Sequence, residues 1–267
     1  MKLESFVNIY YKKLCKVGVL NAKEEIRKTI DDVLNISISK QLTQSLYLNS
    51  SDKYNLKKIL DRRIKKEPPE RIFKKKVFRD INIFLEKKVF SPRRETEILV
   101  DIILENKINT NKTLELGTGS GAITLSLAKN RPCSKFIATD ISLDCLELAK
   151  KNADNNNLLN QINFICCNWY DIFVNSDFDL IISNPPYIRT KVISKLDPEV
   201  KFYDPHIALD GGKDGLDCYR KILSGLSQKL NSNTNIIFEI GYDQAEAVSI
   251  LMKEAKIMNT KIYKDYS

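Results

Sequence analysis

The sequence predicts an α/β protein, with a doubly wound, mostly parallel sheet and a small helical domain at the amino end. Three observations predict it. From about residue 95, short apolar runs alternate with amphipathic stretches in βαβ order, which builds a parallel sheet covered by helices on both faces. One run passes into a helix through a glycine-rich turn, Gly117-Thr118-Gly119-Ser120-Gly121. The first 66 residues instead repeat their apolar side chains at the helical period. With 267 residues, 43% hydrophobic and 29% charged, the chain can bury a core larger than one average domain needs.

Leu3, Phe6, Val7, Tyr10 and Leu14 mark a first helix. A second, capped by Asn21, turns Ile26, Ile30, Val33 and Leu34 inward, and a third short helix uses Leu42 and Leu46. A fourth, capped by Ser51 or Asp52, carries Leu56, Ile59, Leu60 and Ile64 and stops at Pro68-Pro69. These stripes read as the core of a bundle over 1–66. Residues 67–94 read as a basic linker with a hairpin, Val77–Phe78 against Ile81–Leu85, and 95–267 as the α/β domain. Within it, strands are expected at Thr113–Leu116, Phe136–Thr139, Ile162–Cys167, Leu180–Ser183 and Asn235–Ile240. Helices are expected from the glycine turn to about Lys129 and over Leu143–Ala153, Gly215–Leu230 and Gln244–Ala255; Ile262–Tyr263 is expected to open a last strand.

The net charge of +9 is unevenly divided: residues 1–94 hold 24 Lys/Arg against 11 Asp/Glu, and 95–267 hold 19 against 23. The excess peaks over 53–94, with 16 basic against 5 acidic residues. Such a face steers toward an anionic partner, whether RNA, a ribosome or an acidic protein. Compositional drift explains it as well, since Lys outnumbers Arg 33 to 10. No stretch approaches the roughly 18 apolar residues of a membrane helix. Lys2, Glu4, Lys12 and Lys13 leave no room for a signal-peptide core, so a soluble, cytoplasmic chain is expected. Cys15, Cys133, Cys145, Cys166, Cys167 and Cys218 form no C-x-x-C pair and His206 is the single histidine, so no metal site is expected. A serine hydrolase would need a G-x-S-x-G elbow, which is missing.

The glycine turn lets backbone pass close to a ligand. With Ala122 it also fits the dinucleotide pattern G-x-G-x-x-G/A. Asp140 closes the next strand, where a carboxylate can hold both hydroxyls of a ribose; a helix cap is the lesser reading of it, given the glycine turn before it. Together these residues indicate a nucleoside cofactor, either a nicotinamide dinucleotide or S-adenosylmethionine. Glu115 before the turn favours the methyl donor, by resemblance to class I methyltransferases. So does Trp169, the one tryptophan, which follows the third strand and can pack on adenine.

The deciding segment is Asn184-Pro185-Pro186-Tyr187, at the carboxyl end of the fourth strand, where open α/β sheets bind ligands. A planar amide or exocyclic amino nitrogen has a delocalised lone pair and attacks even a sulfonium methyl poorly. The Asn184 side-chain oxygen and the Pro185 carbonyl can each accept one of its N–H groups, stabilise the charge that develops and fix the in-line approach. Pro185 and Pro186 stiffen the loop, and Tyr187 can stack on the planar group. This chemistry fits glutamine amides and nucleobase amino groups alike. A dehydrogenase, or a non-catalytic RNA-binding protein, would leave this tetrapeptide unexplained.

Further segments narrow the acceptor. Pro92-Arg93-Arg94-Glu95-Thr96-Glu97, Leu114 through Ile123, Asp140-Ile141-Ser142, Phe202 through Leu209 with Gly211-Gly212-Lys213-Asp214-Gly215-Leu216, Tyr219-Arg220, and Glu239 through Gln244 follow in order. The run resembles the bacterial release-factor glutamine methyltransferases, the PrmC/HemK family. The resemblance implies a class I methyltransferase domain behind a helical release-factor-binding domain. It implies methylation of the N5 amide nitrogen of the GGQ glutamine in peptide release factors, with S-adenosylmethionine as cofactor. Gly117, Thr118, Gly119, Ser120, Gly121, Asp140, Trp169 and Asn184 then hold the cofactor. Asn184, Pro185, Pro186 and Tyr187 hold the glutamine, Asn184 and Pro185 being catalytic, with no side-chain base. A monomer is expected, with neither membrane nor nucleic acid as partner; DNA or RNA amino methylation of the adenine-N6 type is the alternative. Three positions depart from the pattern: Arg94 replaces a proline, Asn168 replaces an aspartate before Trp169, and the chain ends at Ser267 where the family continues into a final strand. The last departure leads to an expectation of lowered stability.

Overall fold

The computed structural model describes residues 1–169, 177–226 and 233–264. The chain divides into two compact units, Met1–Phe73 and Lys74–Ser267.

The first unit is helical: α1 (Leu3–Lys16), α2 (Ala22–Leu34), α3 (Ile38–Thr43), α4 (Ser50–Ile64) and α5 (Pro69–Phe73). Leu3, Phe6, Val7, Tyr10 and Leu14 of α1 meet Ile26 and Ile30 of α2 and Leu56 and Leu60 of α4 in one core. Local details depart from the sequence expectation. Asn21 makes no side-chain capping bond. The cap of α4 is Asn49, whose side chain accepts the Asp52 N–H at 2.8 Å while Asp52 accepts the Asn49 N–H at 3.1 Å. Asp52 is thus the reciprocal partner of a capping box rather than the cap. In α3, Leu42 is exposed and Gln41 is the buried residue. A six-residue helix offers little inward face, and the Gln41 amide spends it on the carbonyls of Arg27 (2.9 Å) and Ile36 (2.7 Å). Pro68-Pro69 begins α5 as well as ending its predecessor, since proline suits a first helical position.

In the second unit, β1 (Lys75–Phe78) and β2 (Ile81–Phe84) form an antiparallel hairpin. Then come α6 (Glu95–Glu105), for which the sequence reading names no element, β3 (Lys112–Leu116), α7 (Ala122–Asn130), β4 (Lys135–Asp140), α8 (Leu143–Asn155), β5 (Ile162–Cys166) and β6 (Leu180–Ser183). Single turns α9 (Thr190–Ile193) and α10 (Pro198–Lys201) lead to α11 (Asp217–Leu226), β7 (Asn235–Phe238) and α12 (Ala245–Glu254). The five sheet strands are parallel, in the order β5-β4-β3-β6-β7. Side chains alternate across the sheet. Leu180 and Ile182 enter the core under α6, α7 and α8, while Ile181 joins Ile222 and Leu226 of α11 on the opposite face. Strand order reverses between β3 and β6, and there the carboxyl ends of both strands open a crevice.

The expected helix to Leu230 is seen to Leu226; its last residues lie outside the described ones. Ile262 and Tyr263 are exposed and unpaired in any ladder, so the expected last strand does not form among the described residues. A run that short provides too few ladder bonds to order a strand. Among the described residues no helix is long and apolar enough to cross a membrane.

Candidate active site

The two segments singled out by their chemistry meet at the switch point. Leu116, the last residue of β3, pairs with Ser183, the last of β6, and the Ser183 hydroxyl donates to the Leu116 carbonyl at 2.7 Å. From Leu116 the chain enters the glycine turn, where Gly117, Gly119 and Gly121 all take positive φ. Gly121 shows why a side chain is excluded: at φ +84° its Cβ would also lie 3.2 Å from both the Ala149 Cβ and the Leu125 Cδ1. Gly119 has nothing within 4 Å of such a Cβ, so this part of the turn faces open space.

Asp140 ends β4 beside the turn. One carboxylate oxygen accepts the Gly119 N–H and the other the Ser142 N–H, each at 2.9 Å. The residue therefore braces the glycine turn and the start of α8. Burial pushes its pKa above the ordinary aspartate range, making it a weaker acid, against the pull of those N–H groups. Trp169 follows β5 and lies over Gly117, where an added Cβ would stand 3.4 Å from the ring. Asn168 beside it is exposed.

Thr118 and Ser120 are buried and turned inward. The Thr118 hydroxyl donates to Glu115 at 2.6 Å, and the same carboxylate oxygen accepts the Thr124 N–H at 3.2 Å and the Thr124 hydroxyl. Glu115 is thus a support under the glycine turn that also satisfies a first-turn amide of α7. Desolvation outweighs these hydrogen bonds and pushes its pKa up to about 7. The Ser120 carbonyl accepts from Asn152 at 2.9 Å; Asn152 also accepts the Phe84 N–H at 2.7 Å, which joins the hairpin to the turn.

On the other side of the crevice, the Asn184 amide donates to the Thr96 hydroxyl oxygen at 3.2 Å. Its nitrogen is occupied by the first turn of α6 and its oxygen lies on the opposite side of the amide. The Tyr187 hydroxyl donates to Glu239 at 3.4 Å, directly after β7. Burial raises the Tyr187 and Glu239 pKa values above their ordinary ranges, so both groups hold their protons more tightly. Behind the tetrapeptide, the segment around 210–216 comes unusually close. A Cβ on Gly211 would lie 2.8 Å from the Pro186 carbonyl and from the Tyr187 Cα, and one on Gly215 would lie 2.5 Å from the Tyr187 carbonyl. Gln244 holds this contact together, its amide donating to the carbonyls of Tyr187 (3.0 Å) and Gly215 (3.1 Å). Arg93 pairs with the buried carboxylate of Asp204, fixing the run before α6 to the loop after α10. His206 is exposed, 3.9 Å from Asp210.

Thr96, Glu239 and Gln244 carry no assigned role in the sequence reading. They lie in recognised runs, but only the fold brings the ends of α6, β6, β7 and α12 together.

Residues 77–197 match the family model of the methyltransferase small domain. Over 262 residues the chain is 36% identical to a release factor glutamine methyltransferase of Agrobacterium fabrum, with 96% of this chain and 90% of that one covered. The chain belongs to the release factor glutamine methyltransferase family. It is a methyltransferase. A member from Thermodesulfovibrio yellowstonii is 39% identical, covering 84% of this chain and 81% of that one. A bifunctional methyltransferase of Rickettsia bellii is 33% identical across 98% of this chain, which spans 52% of that protein. Among solved structures, the hMettl16 catalytic domain in complex with the MAT2A 3′UTR hairpin 6 aligns with a TM-score of 0.50 at 16% identity, covering 65% of this chain and 66% of that one. That likeness shows the shared methyltransferase fold.

Proposed function

We propose that this enzyme transfers a methyl group from S-adenosylmethionine to the N5 amide nitrogen of the glutamine in the GGQ motif of peptide release factors. The observation that carries the reading is the Asn184 amide. Its nitrogen is held by Thr96, which leaves its oxygen to accept from an incoming amide at the mouth of the crevice.

The residues fit the cofactor. The glycine turn leaves open space at Gly119, Asp140 places a carboxylate beside it for a ribose, and Trp169 supplies a flat apolar face. When bound, the cofactor supplies an electrophilic methyl group on a positively charged sulfur. Asn184 and the Pro185 carbonyl accept one N–H each from the glutamine side chain and orient its nitrogen. As positive charge grows on that nitrogen, the same two oxygens stabilise it. Tyr187, anchored through its hydroxyl to Glu239, presents its ring to the amide plane. The alkylated nitrogen is acidic enough to lose its proton to water, so no side-chain base is required.

The test is transfer of labelled methyl to a purified release factor, with a GGQ-to-GGA variant and duplex nucleic acid alongside. Label confined to the intact factor supports the reading. Label on the nucleic acid would replace it with amino methylation of a base.

A further inference from the structure

Three side chains from three elements hold three successive residues of the glycine turn. Glu115 of β3 accepts the Thr118 hydroxyl, Asp140 of β4 accepts the Gly119 N–H, and Asn152 of α8 donates to the Ser120 carbonyl. Asn152 is fully buried and comes from outside the sheet. Its amide is satisfied throughout. One N–H goes to Ser120 at 2.9 Å and the other to the Phe84 carbonyl at 3.2 Å, while the oxygen accepts the Phe84 N–H at 2.7 Å. The reversed amide would set its oxygen against two carbonyls and its NH₂ against an N–H, so a single orientation fits.

Phe84 lies on the outer edge of the hairpin. Asn82 and Phe84, two apart on β2, turn their N–H and C=O groups away from β1, and α8 meets them with two asparagines in place of a third strand. Asn156, four residues after Asn152, accepts the Asn82 N–H at 3.4 Å and donates to the Asn82 carbonyl at 2.9 Å. It repeats the hairpin contact, but its other N–H goes to the Asn152 carbonyl at 2.8 Å rather than to the turn. Docking of the hairpin therefore accounts for Asn156 in full and leaves the Ser120 bond of Asn152 unexplained.

That bond falls where the turn is weakest. The peptide between Ser120 and Gly121 donates its N–H to the Thr118 carbonyl at 2.9 Å, and its own carbonyl is the one Asn152 holds. Gly121, at φ +84°, adopts negative φ as readily, so its backbone resists a flip of this peptide weakly. Without Asn152 the Ser120 carbonyl would be buried and unpaired, and a flip that re-aims the turn would relieve it. We infer that Asn152 is a positioning residue for the cofactor: it locks the Ser120–Gly121 peptide and, through Phe84, makes that lock depend on the docked hairpin. This rests on the cofactor reading of the glycine turn.

The test measures Kd for S-adenosylmethionine and S-adenosylhomocysteine by Trp169 fluorescence, and hydrogen exchange at the Gly121 amide of the cofactor-free protein. Thermal melts check that each variant is folded. Asn152→Ala should raise both Kd values about tenfold and speed exchange at Gly121, whereas Asn156→Ala should stay within about twofold of wild type in both readouts. Phe84→Pro removes the N–H that Asn152 accepts, at an outward edge position where proline is tolerated, and Phe84→Ala removes the same ring but keeps the N–H. Phe84→Pro should bind about threefold more weakly than Phe84→Ala. Added to Asn152→Ala, it should cost less than it does alone. The Phe84 pair carries the decision if Asn152→Ala does not fold. Equal effects of Asn152→Ala and Asn156→Ala, or equal affinities in the two Phe84 variants, would overturn the inference. If wild type binds neither molecule, the cofactor reading fails by itself, and exchange at Gly121 still decides whether Asn152 locks the turn.

Discussion

Replacing Glu115 with glutamine should change how stability depends on pH. The folded chain raises this carboxyl from 4.5 to about 7 because burial disfavours its charge more than Thr118 and Thr124 favour it. A carboxyl with a raised folded pKa binds its proton more tightly in the folded than in the unfolded chain. Its stabilising contribution is therefore complete below the unfolded value near 4.5 and is lost as pH rises through about 7. At about 1.36 kcal/mol per unit, that loss is on the order of 3 kcal/mol between pH 4.5 and 8. For a unit of this size it corresponds to roughly 6 to 12 °C in Tm. Glutamine keeps an oxygen for the three donors and does not titrate. The assay is thermal unfolding at pH 5, 6, 7 and 8, followed by the fluorescence of Trp169, which belongs to the same compact unit. Asp140, also raised, contributes with the same sign in both proteins; because its charge is one of the causes that raise Glu115, the difference between the two curves reports Glu115 together with that coupling. Glu115→Gln should match wild type within about 1 kcal/mol at pH 5 and exceed it at pH 8. Parallel curves across the range would refute the assignment of the titration to this residue.

Three other outcomes are expected. Gly211→Ala should push the backbone of Pro186 and Tyr187 away from a Cβ that would stand 2.8 Å from both, and kcat/KM for the release factor should fall about 100-fold while Trp169 titration shows unaltered cofactor binding. Asn184→Ala should lower kcat by about 10²- to 10³-fold, measured as initial rates at saturating cofactor, since it removes an acceptor from the developing charge. Reversing Lys74, Lys75 and Lys76 to Glu should slow association with the release factor in stopped-flow mixing at low salt if the basic stretch steers encounter, and unchanged rates would leave that stretch as composition alone.

Much of this was legible before the fold. Alternation of short apolar runs located the strands because a parallel sheet buried on both faces leaves few other solutions, and the glycine turn and Asn184–Tyr187 had to lie at adjacent strand ends once the order was set. What was not legible depends on convergence through space. Thr96 lies where no element is expected and Glu239 within the expected strand Asn235–Ile240, which ends at Phe238; only the register of β6 with β7 and the docking of α6 place them on Asn184 and Tyr187. Gln41 was missed for a related reason: the rule that inward means apolar fails when an amide has two open carbonyls to satisfy. The cap of α4 is displaced by two or three residues because Asn49, Ser50, Ser51 and Asp52 are all suitable caps, and the choice between them falls to which reciprocal bond closes.

Asp140 makes the last prediction, and its sign follows from the bonds it makes. Each of its oxygens already accepts one backbone N–H, and a ribose would need two further acceptor positions, which only the ionised carboxylate offers. Because burial raises its pKa, a proton competes with the cofactor at higher pH than it would at an exposed aspartate. Affinity for S-adenosylmethionine should therefore be constant at high pH and weaken as pH falls through the raised value. The limiting slope is about tenfold in Kd, or 1.36 kcal/mol, per pH unit. Asp140→Asn should bind more weakly at high pH, because an amide also brings a donor to the two N–H groups, and its Kd should not follow the same step. Glu115→Gln separates the neighbouring carboxyl from this effect and should retain the step. The step should also appear with S-adenosylhomocysteine, which has the same ribose and no sulfonium charge. A step seen with the methyl donor alone would move the cause from the ribose hydroxyls to attraction between carboxylate and sulfonium.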